Sequence, residues 1–359
     1  MLLNLYAYSS ETMREFISIL KGIPDRLWIP HQAAMEYQQR RLDVIQQQVA
    51  AYDEIKQALK KAQNKLEQDI RAAVRQGKHP FIDIGELRNK IKSFFPAVER
   101  ELEKLKDAHP DFFYEDPIRK TLTTILENKV GPPFSQEQLR QVYEQGQKRY
   151  GQKVPPGYED AKKNPTERYN DLLLWLQIID KAKEAKKAIL LITDDTKEDW
   201  WWKFKGKTIG PRPELIQEME AECGTSFYMY QSDQFMKYAR VHLSQEVPQK
   251  AIDEVRALIQ GKALDQLVDE VKTLIEMKKK QPLMKIIDAI RPSDIADIIE
   301  QLNHNERLYI LDLLELEDGS EVLFEIEAPA EQRILSELDN QAISEIMQEL
   351  ESDDAAEPD

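Results

Sequence analysis

The sequence predicts an α/β domain with a mostly parallel sheet, followed by an all-α solenoid of short helices. The first prediction rests on the order helix, strand, loop, helix, strand over residues 169–230, which is typical of parallel sheets. The second rests on an apolar unit that ends at a Leu or Ile every 12 residues, five times in succession. A chain of 359 residues has room for two or three such domains.

The first 145 residues read as mainly helical. An apolar helix pattern opens the chain, and Arg26–Ile29 is predicted as a short strand that ends at Pro30. Residues 32–73 contain no Gly or Pro and keep a narrow apolar stripe, which predicts a long helix packed against one neighbour. Residues 85–108 have apolar positions at helical spacing and supply that neighbour. Residues 40–145 are therefore expected to form a helical insertion.

A short apolar run, Ala188–Leu191, predicts a strand buried on both faces. Four acids follow it within six residues: Asp194, Asp195, Glu198 and Asp199. Ligands of open α/β sheets bind at the carboxyl ends of the strands, and clustered carboxylates suit a hard cation such as Mg²⁺. From these residues alone, an acidic turn that caps the strand is an equal alternative.

The segment 148–168 is predicted as a loop with Pro155-Pro156-Gly157 at its centre. Basic residues alternate there with Tyr150 and Tyr158, a pattern that favours contact with a nucleic-acid backbone and stacking of bases. The alternative is a solvated loop, because three acids dilute the positive charge: Glu159, Asp160 and Glu167.

Helices are predicted at 169–187, 213–222 and 252–275, with a second strand at 227–230. The chain has one cysteine, no apolar run of membrane-spanning length and no zinc-like spacing of histidines. A cytoplasmic protein without disulfides is therefore expected.

The repeat occupies the acidic end of the chain. Its units end at residues 302, 314, 326, 338 and 350, and residues 281–359 contain 22 Asp and Glu against four Lys and Arg. One unit cannot bury its own apolar face, so the units are predicted to stack as a solenoid. The net charge of −18 suits a basic protein partner or Mg²⁺.

Several motifs resemble a known family. They are Leu2–Tyr6, Arg26–Gln32 leading to Glu36–Tyr37, Pro155–Asp160, Tyr169–Asp171, Thr193–Trp201, Gly210–Leu215 and Phe227–Tyr230. Residues 1–240 thereby resemble a PIN-like domain, the fold of many Mg²⁺-dependent ribonucleases. The resemblance implies hydrolysis of phosphodiester bonds in RNA or single-stranded nucleic acid, with Mg²⁺ or Mn²⁺ as the cofactor.

The resemblance also implies site residues. Glu36, Asp171 and Asp195 would be catalytic, and they would bind metal together with Asp194 and Asp199. Ordinary roles are the alternatives: an exposed helix acid for Glu36, an N-cap for Asp171 and a turn residue for Asp199. The residues expected to contact nucleic acid are Lys148, Arg149, Lys153, Lys162, Lys163, Lys197 and Arg212. For Lys197 and Arg212, an ion pair with the acids is an equal alternative. One indole of Trp200–Trp202 is a candidate for base stacking, the others being core residues.

One feature departs from the family. A strand ending in a metal-binding Asp normally precedes the Leu2–Tyr6 motif, but here Met1 stands directly before it. Either the true start lies upstream, or a strand and a ligand are missing and the nuclease is impaired. The alternative function is an inactive PIN-like scaffold.

Residues 283–356 resemble the N-terminal cytoplasmic domain of MgtE-type magnesium transporters, through Arg291–Asp297 and Leu350–Ala356. The domains expected are thus a PIN-like domain at 1–240, a helical linker at 241–282 and an MgtE-N-like solenoid at 283–359. The membrane channel that follows this domain in such transporters has no counterpart in the sequence, so transport is not expected. The solenoid is expected to bind a protein or to sense Mg²⁺.

Overall fold

The computed structural model describes residues 1–75, 84–165, 167–204, 207–243 and 245–314, together with 319, 322, 323, 325 and 326. The chain divides into two compact units. Unit 1 comprises Met1–Val142, Leu173–Lys181 and Ala239–Glu246, and unit 2 comprises Tyr143–Leu172, Ala182–Tyr238 and Val247–Asp359.

Helices dominate the described chain. They are α1 (Ser10–Gly22), α2 (His31–Arg75), α3 (Ile84–Asp107), α4 (Pro117–Ile125), α5 (Gln136–Gly151), α6 (Asn170–Ala185), α7 (Pro213–Cys223), α8 (Ser232–His242), α9 (Gln249–Glu276), α10 (Lys280–Ile287), α11 (Pro292–Gln301) and α12 (His304–Leu311). Short 3₁₀ helices lie at Leu2–Tyr6, Pro24–Arg26 and Tyr158–Lys162. The four strands are β1 (Ile189–Ile192), β2 (Trp201–Phe204), β3 (Lys207–Pro211) and β4 (Phe227–Tyr230).

The long helix and its partner take the places that the sequence predicts, because no Gly or Pro interrupts α2. Helices α2 and α3 pack against each other in unit 1. An ion pair of 2.7 Å between Lys106 Nζ and Asp53 Oδ1 links the two helices at their edge.

A buried polar cluster around Asp116 connects α2 with α4 and the first 3₁₀ helix in unit 1. Tyr6 donates its hydroxyl hydrogen bond to Asp116 Oδ2 at 2.8 Å, and Arg41 Nη1 reaches the same oxygen at 2.7 Å. The second oxygen, Asp116 Oδ1, caps α4 by accepting from Arg119 N at 2.7 Å. One carboxylate therefore satisfies donors from three parts of the chain.

The strand predicted at Arg26–Ile29 is wrong. A 3₁₀ helix occupies Pro24–Arg26, and only Ile29 forms a bridge, parallel to Val130. Ile29 N donates to Lys129 O at 3.0 Å, and Ile29 O accepts from Gly131 N at 2.9 Å. The pairing stops there because Pro30 has no N–H with which to continue it.

The α/β class is confirmed, with a smaller sheet than the sequence suggests. Strand β1 pairs in parallel with β4, in the register Ile189↔Phe227 to Ile192↔Tyr230. The prediction that β1 is buried on both faces is wrong, because Leu190 is 37% exposed. In the described chain the sheet of β1 has two strands, β1 and β4, and is therefore narrower than a central parallel sheet.

Strands β2 and β3 form an antiparallel hairpin that the sequence analysis did not predict. The register shifts between Trp202 and Lys203, which marks a β-bulge. Trp200 and Trp201 are 3% and 2% exposed, whereas Trp202 is 45% exposed. Of the three tryptophans, Trp200 and Trp201 are therefore core residues, and Trp202 is the one whose indole is exposed.

Helices α9 to α12 form the helical stack at the end of unit 2. Their buried core includes Val271, Leu283, Ile299 and Ile310. Helices α11 and α12 begin 12 residues apart, at Pro292 and His304, which matches the period of the repeat. The predicted repeat positions 338 and 350 lie outside the described residues.

None of the helices in the described parts of the chain is both long and apolar enough to cross a lipid bilayer.

Candidate functional site

An acidic cluster forms where the loop after β1 meets two other segments of unit 2. The loop is shaped by local hydrogen bonds: Asp195 Oδ1 accepts from Lys197 N at 2.8 Å, and Thr193 Oγ1 accepts from Asp195 N at 3.2 Å. The buried Trp201 anchors the far end of the loop by donating its indole N–H to Asp195 O. These contacts hold the Asp195 carboxylate beside the Lys197 side chain.

The second segment is the Pro-Pro-Gly turn. Gly157 has φ of +94°, and a Cβ there would lie 2.2 Å from the Tyr150 hydroxyl and 3.1 Å from Asp171 Cβ. Only glycine fits such a conformation and such close neighbours. The turn leads into the 3₁₀ helix Tyr158–Lys162, which carries Asp160, while Asp171 lies in the first turn of α6.

Three carboxylates converge on a single ammonium group. Lys197 Nζ lies 2.9 Å from Asp160 Oδ1, 3.3 Å from Asp195 Oδ2 and 3.4 Å from Asp171 Oδ2. The lysine side chain is 25% exposed, and that of Asp160 is 7% exposed. Segments that are 11 and 24 residues apart in sequence thus meet at one cationic atom.

Asp199 is the most buried acid of the site, with 0% exposure. Its Oδ2 accepts hydrogen bonds from Gly157 N at 2.9 Å and Glu159 N at 3.0 Å, which fixes the turn against the loop. Within the described chain, its Oδ1 is buried and has no hydrogen-bond partner. Burial raises the pKa of Asp199, against the effect of these two hydrogen bonds and of Lys197.

Burial and neighbouring charges shift the pKa values of the cluster. Burial raises the pKa of Asp171 to about 7; the Lys197 ammonium opposes this rise and the Asp195 carboxylate adds to it. Burial alone would lower the pKa of Lys197, but the carboxylates of Asp171, Asp195 and Asp160 hold it above its usual range. The ammonium therefore stays charged and stabilises the acids around it.

Asp194 points to a different partner. Its Oδ1 accepts from Ser232 N at 3.0 Å and its Oδ2 from Ser232 Oγ at 2.9 Å. These bonds tie the loop after β1 to the first residue of α8, where an acid also compensates the helix dipole. Adjacent acids in the sequence thus have separate contacts.

Glu36 lies in unit 1, on the second turn of α2. Its Oε1 accepts a hydrogen bond from Gln32 Nε2 at 2.8 Å, one helical turn earlier. Gln32 itself is buried, and its backbone N–H donates to Gln177 Oε1 at 2.9 Å.

The basic residues predicted to contact nucleic acid differ in their surroundings. Lys148, Lys153 and Lys162 have exposed side chains. Arg149 is 9% exposed, and its guanidinium binds Glu218 at 2.6 and 2.8 Å and also donates to Pro155 O. Helix α5 extends to Gly151, so the predicted loop begins only after that residue.

Two further basic residues are already paired. Lys163 Nζ lies 2.7 Å from Asp160 Oδ2, and Arg212 binds Glu214 at 2.6 Å. Lys197 lies within the acidic cluster.

The donor set of the cluster meets the needs of a divalent metal ion only in part. Carboxylate oxygens are the ligands that Mg²⁺ and Mn²⁺ prefer, and Asp199 adds a buried oxygen without a partner. In the described residues, however, no group of three or more Asp, Glu, His or Cys side chains has a geometry that could hold a metal ion. The donors fit such an ion in their chemistry, but Lys197 Nζ lies between them.

Asp160 is the residue that the sequence analysis missed. In the sequence, Asp160 belongs to the acids that dilute the basic segment 148–168 and ends the motif Pro155–Asp160, but it is not among the predicted site residues. The motif Pro155–Asp160 contained a signal, because a rigid Pro-Pro-Gly turn fixes the direction of the chain that follows. The contact of Asp160 with Lys197, 37 residues away, was not visible in that motif.

Comparison with known families is consistent with this geometry. A family model described as a PIN-like domain matches residues 1–215, which is more than half of the chain. The chain belongs to the PIN-like domain family. Residues 290–357 match the MgtE intracellular N domain. No curated protein and no solved structure matches the chain.

The acidic cluster lies in the part of the chain that matches the PIN-like family. A nuclease fold and a general dependence on divalent metal ions go with PIN-like domains. All three acids of the cluster lie within the matched residues 1–215, as do Lys197 and Asp199.

Proposed function

We propose that this PIN-like protein hydrolyses phosphodiester bonds in RNA with the help of Mg²⁺ or Mn²⁺. The observation that supports the proposal is the convergence of Asp160, Asp171 and Asp195 on one cationic atom, Lys197 Nζ. Acidic side chains from three segments repel one another, so a fold brings them together only where a cation compensates their charge. Such a cation site, in a family of nuclease fold, favours phosphodiester chemistry.

Asp160, Asp171 and Asp195 would hold the metal ion, with Asp199 as a further ligand through its unpaired oxygen. Glu36 remains a ligand proposed from the family resemblance. When bound, a divalent ion lowers the pKa of a water molecule and neutralises charge on the phosphate. The chain itself positions the carboxylates: Gly157 holds the turn close to Asp171, and the indole of Trp201 fixes the Asp195 backbone.

RNA would be held by exposed basic and aromatic side chains of the same unit. Lys148, Lys153 and Lys162 are exposed and can follow a phosphate backbone. Trp202 is 45% exposed on the hairpin, three residues after Asp199, and offers an indole for stacking on a base. Arg149 is left out of this surface because Glu218 already binds it.

A cleavage assay tests the proposal. A fluorescent RNA is incubated with the full chain and Mn²⁺ or Mg²⁺, and wild type is compared with Asp195→Asn and Asp160→Asn. Both variants are expected to lose about 100-fold in rate, or about 2.7 kcal/mol of transition-state stabilisation. Glu222→Gln is the matched control, since Glu222 is an acid of the same unit that pairs with Lys183. Equal cleavage by wild type and Asp195→Asn would exclude the proposed site.

Base stacking is tested separately from cleavage. Trp202→Ala should weaken binding of a single-stranded RNA by about 5- to 150-fold, which corresponds to about 1–3 kcal/mol per stacked base. The measurement is fluorescence anisotropy in EDTA, where no cleavage takes place. Unchanged RNA affinity in Trp202→Ala would remove this residue from the interface.

A second candidate function is an inactive PIN-like scaffold with an acidic module that binds a protein or senses Mg²⁺. The observation that favours it is again Lys197, whose ammonium already lies among the three carboxylates. The −18 net charge of residues 281–359 adds a second acidic region. Calorimetric titration of the full chain with Mg²⁺ tests the sensing version. A response that persists after removal of residues 281–359 would exclude this region as the sensor.

A further inference from the structure

We infer that Lys197 is a built-in counter-cation of the acidic site, which a divalent metal ion must displace before it binds the carboxylates. The inference rests on the proposed function, because it takes Asp160, Asp171 and Asp195 as the metal ligands. It adds a role for the chain's own lysine: this side chain sets how tightly the site binds metal. Nothing in the family match specifies that role.

The distances support displacement rather than joint binding. Lys197 Nζ lies 2.9 to 3.4 Å from the three carboxylate oxygens, which is the spacing of ion pairs and of hydrogen bonds to an ammonium. Mg²⁺ needs its oxygens at about 2.0–2.1 Å in near-octahedral geometry. The carboxylates must therefore close in by about 1 Å around a metal ion, and that contraction leaves no room for the ammonium.

The charge balance points the same way. Asp160, Asp171 and Asp195 share the Lys197 ammonium, Lys163 pairs with the second oxygen of Asp160, and the buried Asp199 adds a fourth carboxylate. The two ammonium groups thus leave a surplus of negative charge in the cluster. The unpaired Asp199 Oδ1 is a second, independent sign of an unfilled cation requirement. A dication would neutralise more of this charge than the lysine does.

The ammonium has a way out of the site. The Lys197 side chain is 25% exposed, so one side of it already meets solvent. Its backbone N–H stays bound to Asp195 Oδ1 at 2.8 Å, which keeps the loop in place while the side chain moves. Rotation about the bonds of a flexible four-carbon stem is sufficient to free the carboxylates.

Mn²⁺ binding by the full-length protein tests the inference. Calorimetry and thermal melts compare wild type with Lys197→Met, which keeps the apolar stem and removes the charge. Lys197→Met should melt at a lower temperature than wild type without metal, because the carboxylates then repel one another. It should also bind Mn²⁺ at least tenfold more tightly and regain its melting temperature when Mn²⁺ is added. Lys183→Met, which removes a lysine paired with the exposed Glu222, should bind Mn²⁺ as wild type does.

Lys197→Arg provides the second test and does not depend on the stability of Lys197→Met. A guanidinium stays charged and binds carboxylates through two parallel hydrogen bonds, so it should resist displacement and weaken Mn²⁺ binding. Mn²⁺ affinity in Lys197→Arg equal to or above that of wild type would overturn the inference. So would Mn²⁺ affinity in Lys197→Met equal to or below that of wild type.

These outcomes are distinct from failure of the proposed function. If Lys197→Met binds Mn²⁺ no more tightly but RNA cleavage still requires Asp195, only the counter-cation role is wrong. If none of the proteins binds Mn²⁺, both the counter-cation role and the metal-dependent nuclease are excluded. If Lys197→Met binds Mn²⁺ tightly but RNA is never cleaved, the counter-cation role stands without the nuclease.

Discussion

Replacing Arg149 with Met should destabilise unit 2, whereas replacing its neighbour Lys148 should not. The two residues are adjacent in α5 and both belong to the predicted nucleic-acid contacts. Arg149 is 9% exposed and binds Glu218, while Lys148 is exposed. The substitution Arg149→Met keeps the length and apolar character of the stem and removes the two guanidinium hydrogen bonds to the Glu218 carboxylate.

The magnitude follows from the geometry of the pair. Two charge-assisted hydrogen bonds, of 2.6 and 2.8 Å, join the guanidinium to the carboxylate, and a third joins it to Pro155 O. Removing one partner of a fully buried pair costs about 3–5 kcal/mol. The Glu218 side chain is 24% exposed, so water recovers part of that cost. We therefore expect a loss of about 3 kcal/mol in the free energy of unfolding, near the lower limit of that range.

Urea unfolding followed by tryptophan fluorescence is the assay, because Trp200, Trp201 and Trp202 all lie in unit 2. Lys148→Met should stay within about 0.5 kcal/mol of wild type. The double variant Arg149→Met/Glu218→Gln should lose less than the sum of the two single variants, by about 2 kcal/mol. Wild-type stability in Arg149→Met, or strict additivity in the double variant, would refute the argument.

Three smaller predictions concern stability. Asp194→Ala should lower the free energy of unfolding by about 1–2 kcal/mol, because the hydrogen bonds to Ser232 are lost. The Mn²⁺ affinity of this variant, measured by calorimetry, should equal that of wild type. Asn303→Ala should cost about 1 kcal/mol, measured by thermal unfolding, because Asn303 forms a capping box with Glu306 at the start of α12. Burial lowers the pKa of His109 in the folded chain, so the imidazole binds a proton more readily in the unfolded chain. The free energy of unfolding therefore falls as the pH drops below 6.5, the ordinary pKa of histidine. His109→Gln should flatten that loss in unfolding experiments at pH 5 to 7, and an unchanged pH slope would exclude the contribution of His109.

Local patterns were sufficient to predict most helices. The region of α2 lacks Gly and Pro, and the end of α7 is marked by Gly224 with φ of +62°. Periodicity and such residues act within a few positions, so one sequence contains the relevant information. The 12-residue repeat is local in the same sense, and α11 and α12 follow its spacing.

Strand predictions were less complete, because strands depend on partners that lie elsewhere in the chain. The apolar run of β1 indicated a strand correctly but its burial wrongly, since burial depends on how many neighbours cover it. The hairpin of β2 and β3 was missed. Its first strand contains Trp201 and Trp202, which were considered for core and stacking but not for pairing.

The acids show the same limit at the level of side chains. The sequence placed Asp194, Asp195 and Asp199 together after a strand, but their contacts differ: Ser232, Lys197 and the Gly157 turn, respectively. Residue type and spacing identify an acidic loop. They do not give the direction of each carboxylate, which depends on backbone turns and on distant donors.

The sequence by itself determined the family, the helical periods, the repeat and the presence of an acidic loop after β1. Each of these features depends on residues that lie close together in the sequence. Only the tertiary structure decided that Asp160 joins Asp171 and Asp195, that Arg149 is bound to Glu218, and that Lys197 stands among the acids. The physical reason is that charged side chains pair according to their distance in the folded chain, not their separation in sequence. Segments far apart in the chain must fold against one another before any of these charges can meet.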